Sequence, residues 1–234
     1  MKLLALSLAG VLAITSVAHL MQEQHNTLSE KEKKEGWQLL FDGNTTDRWR
    51  PYQNKVSDGW EVVDGELHCK EKNVQHRADL ITVDQYADFE LVFDWKLAKG
   101  ANSGAMYRVS ENHNGTYETG PEYQLIDDNG YPARLEEWQK SGADYAMHAP
   151  SKVMARPSGE YNHSRIVVKG ATVEHWLNDE RVVNFQLWTT EWNQRKAISK
   201  WKDAPDYGMN KKGHIALQDH GGGIWFRNIK IKPL

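Results

Sequence analysis

The chain has 234 residues, a formal net charge of −3 with acidic and basic side chains interspersed, and one cysteine. No basic stripe points to nucleic acid, and Cys69 has no partner for an intrachain disulfide, so a disulfide framework is excluded. A chain of this length can bury a sizeable core as one domain without such staples.

Residues 1–18 read as one lysine, an apolar run and Ser16-Val17-Ala18, the pattern of a signal peptide cleaved after Ala18. The apolar run is short for a membrane span, so export to the periplasm or medium is the expectation, with no membrane span in the mature chain. Residues 19–35 are polar and without alternation, which predicts a disordered tether. Residues 36–234 form the single expected domain.

That domain reads as mostly β. Trp37 to Phe41 ends in Asp42-Gly43. Gly59 to Val63 meets Glu66 to Lys70 through Asp64-Gly65, the strongest hairpin signal in the chain. Cys69, within that second run, reads as a small buried side chain. Asp79 to Val83 follows. Phe89 to Leu97 alternates cleanly, with Phe89, Leu91, Phe93 and either Trp95 or Leu97 on one face. Ser164 to Lys169 and Thr172 to Leu177 join at Gly170, and Asn178-Asp179 turns into Arg181 to Phe185. His214 to Asp219 and Ile224 to Ile231 close the chain. Glu191 to Lys202 has helical composition and predicts one short surface helix with Trp192, Ile198 and Trp201 roughly on one side. Many short strands with regular turns predict an all-β sandwich or jelly roll of two antiparallel sheets.

The densest polar set lies between Ala101 and Gly130. Alternation puts Glu122, Gln124 and Ile126 on one face of a strand, and Gly104, Met106 and Arg108 on one face of its neighbour. A carboxylate at Glu122 would then sit across the sheet from Arg108. Glu122, Gln124 and Asp127 are spaced like the E-x-D-x-x-E of laminarinase-type glycosidases, but Gln replaces the middle acid. Asp127 reads better as the cap of the Asp127-Asp128-Asn129-Gly130 turn.

Trp37, Trp95 and Trp176 look like core, whereas Trp138, in a polar loop, suits stacking on a sugar ring. Near the C-terminus, Gln218 and His220 share a face, and His220 could carry protons near neutral pH. His148 and Lys152 could rim a pocket, and His175 is as readily structural. No H-x-H or H-E-x-x-H spacing signals a transition-metal site. A divalent metal held by carbonyls and aspartates, such as calcium, stays compatible with the sequence.

Five stretches occur in an order that resembles the 3-keto-disaccharide hydrolase family, long catalogued as a domain of unknown function. They are Asn102 to Arg108, Glu122 to Asp127, Arg156 to Asn162, Val173 to Asn178, and Gly213 to Gly221 with Phe226 to Ile229. The resemblance starts at Gly36 and runs to Leu234; Tyr161 and Asp179 depart from the family's usual Trp and Gly. It implies a concanavalin-like jelly roll and a carbohydrate substrate whose C3 hydroxyl has been oxidised to a ketone. It further implies cleavage by loss of the C2 proton, elimination of the glycosidic oxygen and hydration. In that reading Glu122 and His220 act as base and acid, and Arg108 stands near the developing oxyanion. Gln124, Gln218, Lys152, His148 and Asn102 hold the substrate, and Trp138 stacks on it. The alternatives are an ordinary retaining glycosidase and a non-catalytic sugar-binding jelly roll.

Overall fold

A computed structural model describes residues 25–234. The residues of the expected signal peptide lie outside the described part. Two antiparallel sheets carry the fold. The larger contains β1 (Gln38–Leu39), β3 (Trp60–Val63), β4 (Glu66–Cys69), β6 (Phe89–Leu97), β9 (Asn162–Lys169), β10 (Thr172–Leu177), β11 (Glu180–Gln186) and β13 (Ile224–Pro233). Its strands run in the order β11-β10-β9-β6-β13-β4-β3, with β1 also paired to β13. The smaller contains β2 (Trp49–Pro51), β5 (Leu80–Thr82), β7 (Asn102–Val109), β8 (Glu122–Ile126) and β12 (His214–Leu217), in the order β2-β5-β12-β7-β8. Sequence neighbours are spread between the two sheets, as expected of a jelly roll.

The turns follow from their residues. Asp64 and Gly65 both take positive φ, as do Asn178 and Asp179. These are the conformations that close two-residue hairpins without splaying the strands. Asp179, where the resemblance expects glycine, therefore occupies a left-handed position that Asp tolerates better than most residues.

Strand β6 is buried at every second residue, the pattern of a sheet with one face on the core. Its inward side chains meet Tyr107, Tyr123, Ile215 and Leu217 from the smaller sheet. Strands β7 and β8 differ: nearly every residue in them is buried. The second face of the smaller sheet is thus covered by something other than the larger sheet. A separate apolar cluster of Tyr52, Ile81, Met106, Val109 and Ala216 lies on that face, and loops close over it.

Three expectations need correction. The expected tether is ordered from residue 25 onward. Asn26 donates from its backbone to Asn228 Oδ1 (2.7 Å), and its side chain donates to Gly65 O (2.8 Å). A five-residue helix, α1 (Glu30–Lys34), follows, started by a Ser29–Glu32 capping box and tied down by Lys230 to Glu32 at 2.7 Å. The second helix, α2 (Thr190–Ile198), is shorter than expected. Trp192 is buried in it, Ile198 is exposed, and Trp201 lies buried beyond its end. Of the three tryptophans expected in the core, only Trp95 is fully buried. Trp37 and Trp176 are half-buried on the outer face, where Lys232 covers one ring and Arg165 covers the other. Cys69 is buried and free, and burial pushes its thiol well above the usual range. Among the described residues no helix is long and apolar enough to cross a membrane.

Candidate active site

The site is built on the face of the smaller sheet that looks away from the larger one. Strand alternation sends Tyr123 and Leu125 into the core and leaves Glu122 and Gln124 on the opposite face. Across the ladder Glu122 faces Met106, and Gln124 faces Gly104. The Glu122 carboxyl bends over Gly104: a Cβ built on that glycine would lie 2.2 Å from Glu122 Oε1. A side chain at position 104 would therefore displace the carboxyl from this place over the sheet.

Glu122 is 3% exposed. Burial pushes its pKa up from 4.5 to about 8; Lys200 pulls it down, while Asp79 and Asp144 push it further up. A carboxyl with that affinity can hold or release a proton near neutral pH. Gln124 Nε2 donates to Asn102 Oδ1 at 3.3 Å, joining two of the expected binding residues. Gln218 arrives from the end of β12, where its backbone N–H donates to Gly104 O at 2.9 Å. Its side-chain Oε1 is buried and has no hydrogen-bond partner among the described residues. His220 follows on the same segment and is exposed. The glycines after it pack closely, with a Cβ on Gly222 falling 3.0 Å from Asn102 N. Glu122, Gln124, Asn102 and Gln218 thus come together.

The proposed Glu122–Arg108 pairing is not formed. Arg108 has φ +54°, and the β7–β12 register shifts beside it. This bulge puts Met106 and Val109 on one face and turns Arg108 off it. Its guanidinium instead holds loops together, donating to Ala87 O (2.9 Å), Gly170 O (2.9 Å) and Asp88 Oδ1 (3.1 Å). The cation that does act on Glu122 is Lys200, whose Nζ stands 4.9 Å from the Tyr145 ring and 5.0 Å from the Trp201 ring. Lys152 also lies apart, exposed and paired with Glu180 at 2.6 Å. His148 bonds through Nδ1 to buried Asp144 Oδ2 (2.8 Å) and stacks on Phe185 at 4.5 Å, which makes it an anchor of the site's loop rather than a substrate ligand. Asp127 holds the turn, accepting from Gly130 N (2.9 Å) and Gly100 N (2.8 Å). His175 is buried against Tyr107 and Gly142 O, and burial holds its pKa down to about 4.

That loop runs beside β8 as an extra edge: Gln124 N donates to Ala143 O (3.1 Å), and Tyr145 N donates to Glu122 O (3.0 Å). It brings aromatic rings to the rim. Trp138 meets Tyr145 edge-on at 5.5 Å, Tyr145 lies 6.4 Å from Trp201, and Trp201 lies 6.3 Å from Tyr117. Trp138 therefore packs against the loop that borders β8.

Asp79 and Thr116 were missed in the sequence. Asp79 precedes β5 and shares the face of Ile81, which plain alternation could have revealed. It accepts from Asp219 N (2.8 Å) and from Thr116 Oγ1, and Thr116 also contacts Met106 Sδ at 3.1 Å. Burial raises the Asp79 pKa. Lys200 carried no sequence signal beyond its helical surroundings. Among the described residues no three His, Cys, Asp or Glu side chains converge as a metal cage.

Residues 36–232 match the model of the 3-keto-alpha-glucoside-1,2-lyase-like domain. The chain belongs to this family. It is 32% identical to the 3-keto-disaccharide hydrolase of Bacteroides thetaiotaomicron, over 97% of this chain and 88% of that one. A solved structure of a candidate glycosyl hydrolase from Parabacteroides distasonis superposes with a TM-score of 0.84 at 40% identity, over 90% of this chain and all of the other. A second Parabacteroides distasonis candidate glycosyl hydrolase gives a TM-score of 0.66 at 26% identity, over 85% and 99% of the two chains. The family anticipated from the ordered motifs is the family found.

Proposed function

We propose that this protein is an exported carbohydrate hydrolase that cleaves glycosides whose sugar carries a ketone at C3. Family membership and the name of the Bacteroides relative support the substrate class. The observation that carries the chemistry is Glu122, a buried carboxyl with pKa near 8 poised over Gly104. The leader-like residues 1–18 support export.

A C3 ketone acidifies the C2 proton. Glu122 takes that proton, and the C–H electron pair moves onto the carbonyl oxygen as an enolate. The carbonyl then re-forms, the electrons close a C1=C2 double bond, and the C1–O bond breaks with its pair on the leaving oxygen. His220, two residues beyond Gln218, protonates that oxygen. Water adds at C1 and a proton returns to C2, giving the free 3-keto sugar. The enolate oxygen needs a donor or cation, a part that falls to Gln124 Nε2 and Lys200 in place of Arg108. Gln218 Oε1 and Asn102 hold hydroxyls, and Trp138 offers its ring at the rim.

A retaining glycosidase fits less well. It needs a second carboxyl about 5 Å from the first; Gln124 stands beside Glu122, and Asp127 is engaged in its turn. The deciding experiment offers the purified protein a glucoside and its 3-keto derivative. The proposal expects release from the keto compound alone. Release from the plain glucoside would favour a glycosidase, and binding without release would leave a sugar-binding module.

A further inference from the structure

The strand register lays a polar row across the smaller sheet. Gln124 pairs with Gly104, and Gln218 N donates to Gly104 O (2.9 Å). Leu217 pairs with Leu80, so the position beside Gln218 on the β5 side is that of Asp79. Asp219 N, donating to Asp79 Oδ1 at 2.8 Å, fits that placement. Gly104 carries no side chain, and the Glu122 carboxyl lies over it. From β8 to β5 the row therefore reads Gln124, the Glu122 carboxyl, Gln218 and Asp79. Two residues along each strand on the same face, Met106, Ala216 and Ile81 are buried in their apolar cluster. Asn102, Gln218 and Asp79 are partly exposed, so the row meets solvent on their side.

The protein does not use up the polar capacity at the β5 end. A carboxylate offers about four lone-pair sites. At Asp79 the protein fills two, from Asp219 N and from the Thr116 hydroxyl. Gln218 Oε1 has no hydrogen-bond partner among the described residues. Acceptors left over in this way suit a group rich in hydroxyls, whereas an apolar group would cover them without bonding them.

We propose that Gln218 and Asp79 form the leaving-group subsite, and that the leaving group is a second sugar ring held through its hydroxyls. The proposal rests on the keto-glycoside reading above, which also gives its direction. With C2 over Glu122 and the enolate oxygen on C3 at Gln124, C3 lies toward β8. C1 and its substituent then lie on the other side, toward β12 and β5. Neighbouring strands are about 4.8 Å apart. A ring linked through C1 therefore extends over Gln218 to Asp79, one and two strands beyond Gly104.

The test compares methyl α-glucoside and maltose, each oxidised at C3 of the ring whose C1 carries the leaving group. In the wild-type protein kcat/KM for the disaccharide should exceed that for the methyl compound by roughly ten- to a hundredfold, the size expected for hydrogen bonds to a charged acceptor. Asp79→Asn and Gln218→Ala should each lower this ratio by about tenfold. Partial loss of folded protein lowers both rates together and leaves the ratio unchanged. Gln218→Ala also keeps the test open if Asp79→Asn does not fold, because Gln218 Oε1 has no protein bond to lose. A wild-type ratio near one, or a wild-type ratio kept within about threefold by either folded variant, would overturn the proposal. If neither compound turns over, the functional reading fails and binding decides the subsite. The Asp219 amide, bonded to Asp79, should then shift in NMR spectra on titration with the keto disaccharide and not with the methyl compound. Equal shifts from both, or none from either, would refute the subsite.

Discussion

Replacing Glu122 by glutamine should change how stability depends on pH more than it changes stability itself. Burial raises the carboxyl from 4.5 in the unfolded chain to about 8 in the native state. Between these values the native protein keeps a proton that the unfolded chain has released. Native stability therefore falls as pH rises from about 4.5 to about 8, then levels off. At about 1.4 kcal/mol for each tenfold change in proton affinity, the gap corresponds to about 5 kcal/mol. Water penetration and relaxation around a buried charge reduce such figures, so about 2–5 kcal/mol is the expected range. Glu122→Gln has no proton to lose. Relative to wild type, the variant should be similar in stability at pH 5 and gain over it by that amount at pH 9. Urea unfolding of both proteins at pH 5, 7 and 9 measures this directly, because effects of every other titrating group are largely shared. A difference that stays constant within about 0.5 kcal/mol across the range would refute the buried, proton-holding carboxyl.

Other substitutions separate the site from its scaffold. Gly104→Ala puts a Cβ 2.2 Å from Glu122 Oε1. It should lower kcat/KM at least tenfold while destabilising by about 1–3 kcal/mol, read from kinetics and urea midpoints together. Thr116→Val removes the hydroxyl that bonds Asp79. A loss of about 1–3 kcal/mol is expected, with unchanged stability as the contrary result. Arg108→Met strips the loops of Ala87, Asp88 and Gly170 of their donor. It should destabilise by about 3 kcal/mol, leaving the Ala87 and Gly170 carbonyls without this donor while Asp88 keeps only Gly170 N, yet keep KM and kcat of the folded enzyme within about threefold. A hundredfold loss of kcat in a folded Arg108→Met protein would restore Arg108 to the reaction.

The sandwich was legible because its inward residues repeat every second position in β6 and its tight turns carry Asp64-Gly65 and Asn178-Asp179. The same period placed Glu122 and Gln124 correctly, since β8 is regular. It failed at Arg108, where a bulge with φ +54° reverses the facing of one residue. Nothing in the apolar pattern marks that residue, because a bulge depends on what the neighbouring strand does. Residues 25–35 misled for a related reason. Their order comes from Asn26 meeting Asn228 and Lys230 meeting Glu32, contacts about two hundred residues apart in sequence. Lys200, whose charge acts on Glu122, lies in the chain that follows α2. That placement belongs to tertiary structure, whereas Asp79 could have been read from its alternation with Ile81.

In the proposed reaction Glu122 removes the C2 proton of a 3-keto glycoside. The most direct measurement is turnover in D2O, with the released 3-keto sugar analysed for deuterium at C2 against the spontaneous exchange of unreacted substrate and product. The account predicts about one deuterium at C2 per molecule released, and loss of both release and labelling in Glu122→Gln. Release without C2 labelling, or undiminished labelling and release in Glu122→Gln, would contradict it.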